Sequence, residues 1–245
     1  MSKEKKTTGT YEWAPCRDNC ILGCSNDCQY CYAKGNNIRF KRGTAETWKI
    51  EHQNTNARPS RHKRLVMFPT SHDLHFEHVN WWGPHLLKLL ELGNNILIVT
   101  KAEMKAVGWM VENLEKYRNQ IEFRLTIGTD DENIRAYWEP GAPAMSERLL
   151  CLALLHSTGY RTSVSMEPLL MRDPVPFIAR TKPIVSGEIW IGCMNHMALD
   201  PAIPEHREQI IINSFDNMLN IWMATHLDPK VRYKDSVVKL LGLKS

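Results

Sequence analysis

Residues 23–33 read GCSNDCQYCYA and place Cys24, Cys28 and Cys31 in a C-x3-C-x2-C spacing. Three thiolates so spaced can wrap three corners of a cubane iron–sulfur cluster from one loop, because thiolate is the ligand these clusters take. With three cysteines the fourth iron stays open to an outside ligand. A structural zinc would want four ligands, often in two pairs, and Cys16, Cys20, His72 or His75 could complete such a set. An electron-transfer ferredoxin would want a fourth cysteine. Cys16 and Cys20 repeat the i, i+4 spacing, but position 23 is glycine, so they read as free thiols near the cluster. Cys151 sits in the apolar run 149–155, where a buried, inert thiol is expected.

Outward from this loop, short apolar runs alternate with amphipathic stretches. Strands are expected at 65–68, 96–100, 121–126, 161–165 and 188–192, with one more before the cysteines at about 19–23. Helices are expected near 46–52 and over 82–92, 103–117, 144–158 and 206–224. Glycines at 93 and 159 and the proline-bearing region 174–183 punctuate them. Such alternation means right-handed βαβ units and a parallel sheet. A doubly wound sheet and a partial barrel fit equally well, and both place function at the carboxyl ends of the strands. Residues 1–10 read as a disordered tail, 11–225 as the α/β domain and 226–245 as a C-terminal extension that closes the barrel or reaches substrate.

The chain has 245 residues, a net charge of +4 and seven cysteines, an odd number. No apolar run approaches the length needed to cross a bilayer, and the lysine-rich start has no apolar segment like that of a secretory leader. A cytoplasmic protein is expected, and its clustered cysteines read as a metal site rather than a disulfide framework. Arg39, Lys41 and Arg42 form one basic cluster, and Arg58, Arg61, His62, Lys63 and Arg64 another. These are either solvated loops or a groove that meets phosphates.

Tyr30 precedes the last cysteine and Tyr32 follows it, so the loop resembles the radical S-adenosylmethionine (SAM) superfamily signature, C-x3-C-x-aromatic-C. The resemblance implies a partial (β/α)6 TIM barrel, a [4Fe–4S] cluster on Cys24, Cys28 and Cys31, and SAM on the open iron. It also implies a reducing partner such as a flavodoxin or ferredoxin. Further landmarks are similar to the spore photoproduct lyase-like group: Asn19 with Gly23-Cys24, Thr100-Lys101, Glu139-Pro140-Gly141-Ala142-Pro143, Glu147-Arg148-Leu149 and Glu167-Pro168-Leu169. Ser71-His72-Asp73-Leu74 resembles a segment of relatives that include phage-encoded radical SAM proteins. Together these cover about residues 12–200.

The resemblance and the positions at strand ends imply site roles. Lys101 pairs with the SAM carboxylate. Thr126 and Gly128 meet its ribose or methionine part, and Tyr30 and Tyr32 pack near the cofactor, Tyr32 beside adenine. Glu167 contacts cofactor or substrate, or forms an ion pair with Arg124 or Arg148. Asn195 and His196 contact adenine or substrate. Asp73 holds substrate or orients His72, and Cys193 is a candidate hydrogen donor or radical relay. Spore photoproduct lyases place a donor cysteine where this chain reads Phe68-Pro69-Thr70-Ser71-His72-Asp73, which has none. The expected substrate is therefore a base in DNA or a nucleotide, such as a modified thymine, that is modified or isomerised rather than repaired. Alternatives are a radical SAM enzyme acting on a peptide or small metabolite, and a zinc or redox module without SAM chemistry.

Overall fold

The computed structural model describes residues 9–195 and 197–243. Residues 1–8 of the expected tail, and His196, lie outside the described residues. The strands are β1 (Cys16–Arg17), β2 (Ile21–Leu22), β3 (His52–Gln53), β4 (Val66–Phe68), β5 (Ile96–Thr100), β6 (Ile121–Thr126), β7 (Arg161–Met166), β8 (Ile189–Ile191) and β9 (Val231–Tyr233). The helices are α1 (Tyr32–Arg39), α2 (Ala45–Trp48), α3 (Val79–Glu91), α4 (Met104–Leu114), α5 (Glu132–Trp138), α6 (Met145–Ser157), α7 (Val175–Thr181), α8 (Pro204–Ile212), α9 (Phe215–Thr225) and α10 (Asp235–Leu240).

Seven strands form one sheet in the order β1-β4-β5-β6-β7-β8-β9. Every neighbouring pair in it is parallel. Each new strand adds on the same side of the last, so the sheet curls as a barrel wall and is not doubly wound. The order starts at β1 and ends at β9 without closing, which makes the barrel partial. β4 and β5 are Val/Ile-rich and nearly all buried, as parallel strands covered on both faces must be. In β6 and β7 the alternation of side chains turns Arg124 and Ser163 together, and Ser163 Oγ joins Arg124 Nε at 3.0 Å to Glu122 at 2.7 Å.

The structure differs from the sequence expectation in several places. The sheet has seven strands, not six. Its first strand is Cys16–Arg17, while Ile21–Leu22 pairs antiparallel with His52–Gln53. The chain leaves the sheet at Asn19, whose side chain accepts from the Thr70 and Ser71 amides at 2.7 and 2.9 Å and donates to Thr70 Oγ1. The extension at 226–245 supplies the seventh strand, β9. The helix expected over 206–224 is two, because Ser214 caps a new start by accepting from the Asn217 amide. The proline-bearing 174–183 region holds α7, with Pro174 at its N-cap, where a missing amide costs nothing. Among the described residues, no helix is long and apolar enough to cross a membrane.

Candidate functional site

A cavity of about 720 Å³ opens at the carboxyl ends of the strands. Its wall takes Thr70 to Asp73 from after β4, Thr100 from β5 and Lys101 just after it, Thr126 from β6, Ser165 from β7 and Glu167 just after it, Cys193 to Asn195 from after β8 and Ser236 from after β9. Cys24, Cys28 and Cys31 all face it. A cavity of this size suits a cofactor together with a substrate group.

The cysteine loop is held from several sides by backbone. The Cys24 amide donates to Trp48 O at 2.9 Å, the Gln29 amide to Trp138 O at 2.9 Å, and the Gly141 amide to Asn26 O at 3.1 Å. Gly23 has φ +89°, and a Cβ there would stand 2.8 Å from Trp48 O. Asp27 also sits in the left-handed region, at φ +47°, which Asp tolerates better than most residues. Its carboxylate is fixed by Lys34 at 3.0 Å and Lys49 at 2.8 Å. Cys31 caps α1, its Sγ accepting from the Lys34 amide at 3.4 Å.

Inside this frame lies a polar layer. The Asp73 carboxylate accepts from Asn26 Nδ2 at 2.8 Å, from the Leu74 and Lys101 amides at 2.8 and 3.0 Å, and from Thr100 Oγ1. It ties the ends of β4 and β5 to the cysteine loop. Burial alone would raise its pKa, but His75, Lys101 and the bonds from Thr100 and Lys101 hold it below the usual range. His75 bridges Asn26 Oδ1 at 2.9 Å and Glu51 at 2.7 Å, and Glu51 accepts from the Ser25 amide. Behind the loop, Glu139 is buried beside Arg148 at 2.5 Å and Lys101 at 3.7 Å, and Tyr30 OH donates to it. Burial works to raise the Glu139 pKa, yet these two cations keep it low.

Burial pushes the Cys28 thiol up to about 12, with Lys101 working against it. Cys24 is pushed up by burial and by Asp73. Buried thiols of this kind become thiolates when a metal centre compensates their charge. Three thiols on one loop, facing one cavity and braced by its polar layer, fit a cluster that takes three thiolates. Among the described residues, no three His, Cys, Asp or Glu side chains converge closely enough to hold one metal ion.

Most residues singled out in the sequence line this cavity: Tyr30, Tyr32, His72, Asp73, Lys101, Thr126, Glu167, Cys193 and Asn195. Gly128 is not among the lining residues. A side chain there would overlap Pro168 O, so its place is the close approach of two strand ends. His72 is enclosed. Its Nδ1 donates to Asp73 O at 2.8 Å and its Nε2 accepts from the Cys20 amide at 3.2 Å, and burial lowers its pKa to about 4. Tyr32 OH donates to Thr70 O. Asn195 Nδ2 donates to Cys193 O at 2.9 Å, and burial pushes the Cys193 thiol up to about 11.

Glu167 is not paired with Arg124 or Arg148, because Arg124 turns to Glu122 and Arg148 to Glu139. Its partner is Lys234, at 3.5 Å, just after β9. Lys234 is itself buried and reaches Glu12 at 3.1 Å and Gly9 O at 2.7 Å. The segment Gly9–Glu12 thus spans from β9 toward β1, where Arg17 lies over the Tyr11 ring at 4.1 Å. Nothing local in the sequence marks Glu12 or Ser236, and Lys234 stands there only as one of several basic residues of the C-terminal segment. Asn26 was legible only as a position inside the cysteine motif.

No protein-family model matches the sequence, and no curated protein matches it. Solved structures do. A spore photoproduct lyase, in a cysteine-to-alanine mutant form, aligns at TM-score 0.54 and 15% identity over 85% of this chain and 64% of that one. The same mutant with dinucleoside spore photoproduct aligns at 0.51 and 15%, over 94% and 66%. Streptococcus suis SuiB bound to S-adenosylmethionine aligns at 0.50 and 11%, over 87% and 45%. Both proteins are radical SAM enzymes. The chain has their partial-barrel fold, and it spans about half to two thirds of their length.

Proposed function

We propose that this chain is a radical SAM enzyme that modifies or isomerises a base in DNA or a nucleotide. The observation that carries the reading is the opening of Cys24, Cys28 and Cys31 onto one cavity at the strand ends of a radical SAM fold. These three cysteines would hold a [4Fe–4S] cluster, leaving one iron for SAM. When bound and reduced by a flavodoxin or ferredoxin, the pair supplies a 5′-deoxyadenosyl radical that abstracts a substrate hydrogen.

The chain's own residues bind and position. Lys101 presents a cation for the SAM carboxylate, and Tyr32, Thr126 and Asn195 offer an aromatic face and polar groups along the wall. Tyr30 fixes the loop through Glu139, and Asp73 fixes it through Asn26. Glu167 meets cofactor or substrate with its charge tuned by Lys234. Gly128 serves the cofactor site by its packing, and His72 does so by bracing Asp73 and Cys20. Cys193, a thiol on the cavity wall, is the candidate hydrogen donor or radical relay. The nucleotide reading is supported by the neighbour that holds a dinucleoside spore photoproduct and by the basic residues near the cavity.

The test is anaerobic. Four irons and four sulfides per chain, and 5′-deoxyadenosine formed on reduction with SAM, are expected. Cys24→Ala, Cys28→Ala and Cys31→Ala should each abolish both, while Cys16→Ala and Cys20→Ala keep them. Deuterium passing from a labelled oligonucleotide into 5′-deoxyadenosine would identify the substrate class. One zinc and no sulfide would refute the enzyme reading.

A further inference from the structure

We infer that the outer face of α1 is the track along which a single nucleic-acid strand enters the cavity, an inference that rests on the nucleic-acid reading of the substrate. α1 starts at Cys31, and Tyr32 and Asn36 on it line the cavity. At about 100° per residue, Tyr32, Asn36, Arg39 and Phe40 lie along one side of the helix. The wall of the cavity therefore continues outward along α1.

Phe40 is 57% exposed at the far end of that side. The Arg39 and Arg42 guanidinium groups lie over its ring at 5.7 and 5.4 Å from the centroid. An exposed ring with two cations beside it matches how single strands are held, by base stacking together with phosphate pairing. No acidic residue occurs between Cys28 and Ala45. Asp27, the preceding carboxylate, is taken up by Lys34 and Lys49. Among the described residues, no carboxylate pairs with Arg39, Lys41 or Arg42. A second cation–aromatic pair, Arg17 over Tyr11, stands on the rim of the cavity.

An acidic electron carrier is the competing occupant of a basic surface. On the side of α1 that faces the cysteine loop, the one cation, Lys34, is taken up by Asp27. Lys34 stands about 200° around the helix from Tyr32. The other basic cluster, Arg58 to Arg64, lies at the start of β4, where the His62 amide bonds Asn94 Oδ1 just before β5. It is at the opposite end of the strands from the cavity.

The experiment measures fluorescence anisotropy of a labelled single-stranded thymidine oligonucleotide on the anaerobically reconstituted chain, between about 50 and 200 mM salt. The intact protein should bind, and bind less tightly as salt rises. Arg39→Glu with Arg42→Glu should weaken binding about tenfold or more and flatten the salt slope. Phe40→Ala should weaken it about fivefold or more with the slope kept. Arg61→Glu with Lys63→Glu should change little. Iron content and melting temperature check that each variant is folded. Unchanged binding in both α1 variants would overturn the track while leaving the nucleic-acid substrate standing. No binding by the intact protein would overturn both, and 5′-deoxyadenosine formation would still report the radical chemistry. Unchanged oligonucleotide binding with slowed reduction by flavodoxin would assign the surface to the electron carrier and overturn the inference.

Discussion

Gly141 lies against the backbone of Ser25, so closely that a Cβ at 141 would overlap the Ser25 carbonyl oxygen and stand 3.0 Å from its carbon. The Gly141 amide also donates to Asn26 O at 3.1 Å. Residues far apart in the chain are thus pressed together directly behind Cys24. Both contacting groups are backbone and cannot swing aside. Gly141→Ala should displace the cysteine loop and lower iron bound per chain by half or more, with the far-ultraviolet circular dichroism preserved. Full iron loading in this variant would show that the loop is not braced there.

Arg148 and Glu139 are both buried and meet at 2.5 Å. Arg148 also donates to Pro143 O at 3.0 Å and Thr126 O at 3.1 Å. Removing Arg148 leaves the buried Glu139 carboxylate with only the more distant Lys101, at 3.7 Å, to offset its charge. Arg148→Met should cost about 3–5 kcal/mol in urea unfolding. Adding Glu139→Gln should recover part of that loss, since the stranded carboxylate is gone. A double variant no more stable than the single one would mean that the two are not coupled.

His72 is held neutral. Its pKa falls from the ordinary 6.5 to about 4 because burial disfavours the cation. A histidine depressed in the folded state contributes stability that is complete above pH 6.5 and is lost as pH falls from there to about 4. The loss should reach about 3 kcal/mol by pH 4. His72→Gln should show a shallower fall over that window than the parent chain, and the comparison cancels losses that both share. Parallel stability curves would exclude a buried neutral imidazole.

Lys234 holds two carboxylates, Glu12 at 3.1 Å and Glu167 at 3.5 Å, and carries the Trp13 ring 4.1 Å away. Lys234→Met should destabilise the chain by about 3–5 kcal/mol. It should also make the segment before Trp13 more sensitive to limited proteolysis. Glu167 has a raised pKa from burial, partly offset by Lys234. Lys234→Met with Glu167→Gln should therefore be more stable than the single variant at neutral pH. Equal proteolysis in all three chains would show that Lys234 does not anchor the N-terminal segment.

The three-cysteine loop, the strands from β4 to β8 and several of the helices were legible in consecutive residues. Hydrophobic period and cysteine spacing are properties of short windows. The residues expected at strand ends gather around one cavity for the same reason, since in a parallel α/β fold all carboxyl ends face one way. The strand at 19–23 was misplaced because Asn19 bonds residues after β4, a contact invisible along the chain.

By itself, the sequence determined that Cys24, Cys28 and Cys31 share one neighbourhood, because they fall within eight residues. It also determined the alternation of strands and helices. Only the tertiary structure decided that the sheet curls into an open barrel, that β9 joins it, and that Glu139 takes Arg148 while Glu167 takes Lys234. Lys234 bonds Gly9 across 225 positions of chain. Which buried charges meet depends on how the crossovers stack the strand ends, and no local pattern of residues encodes that.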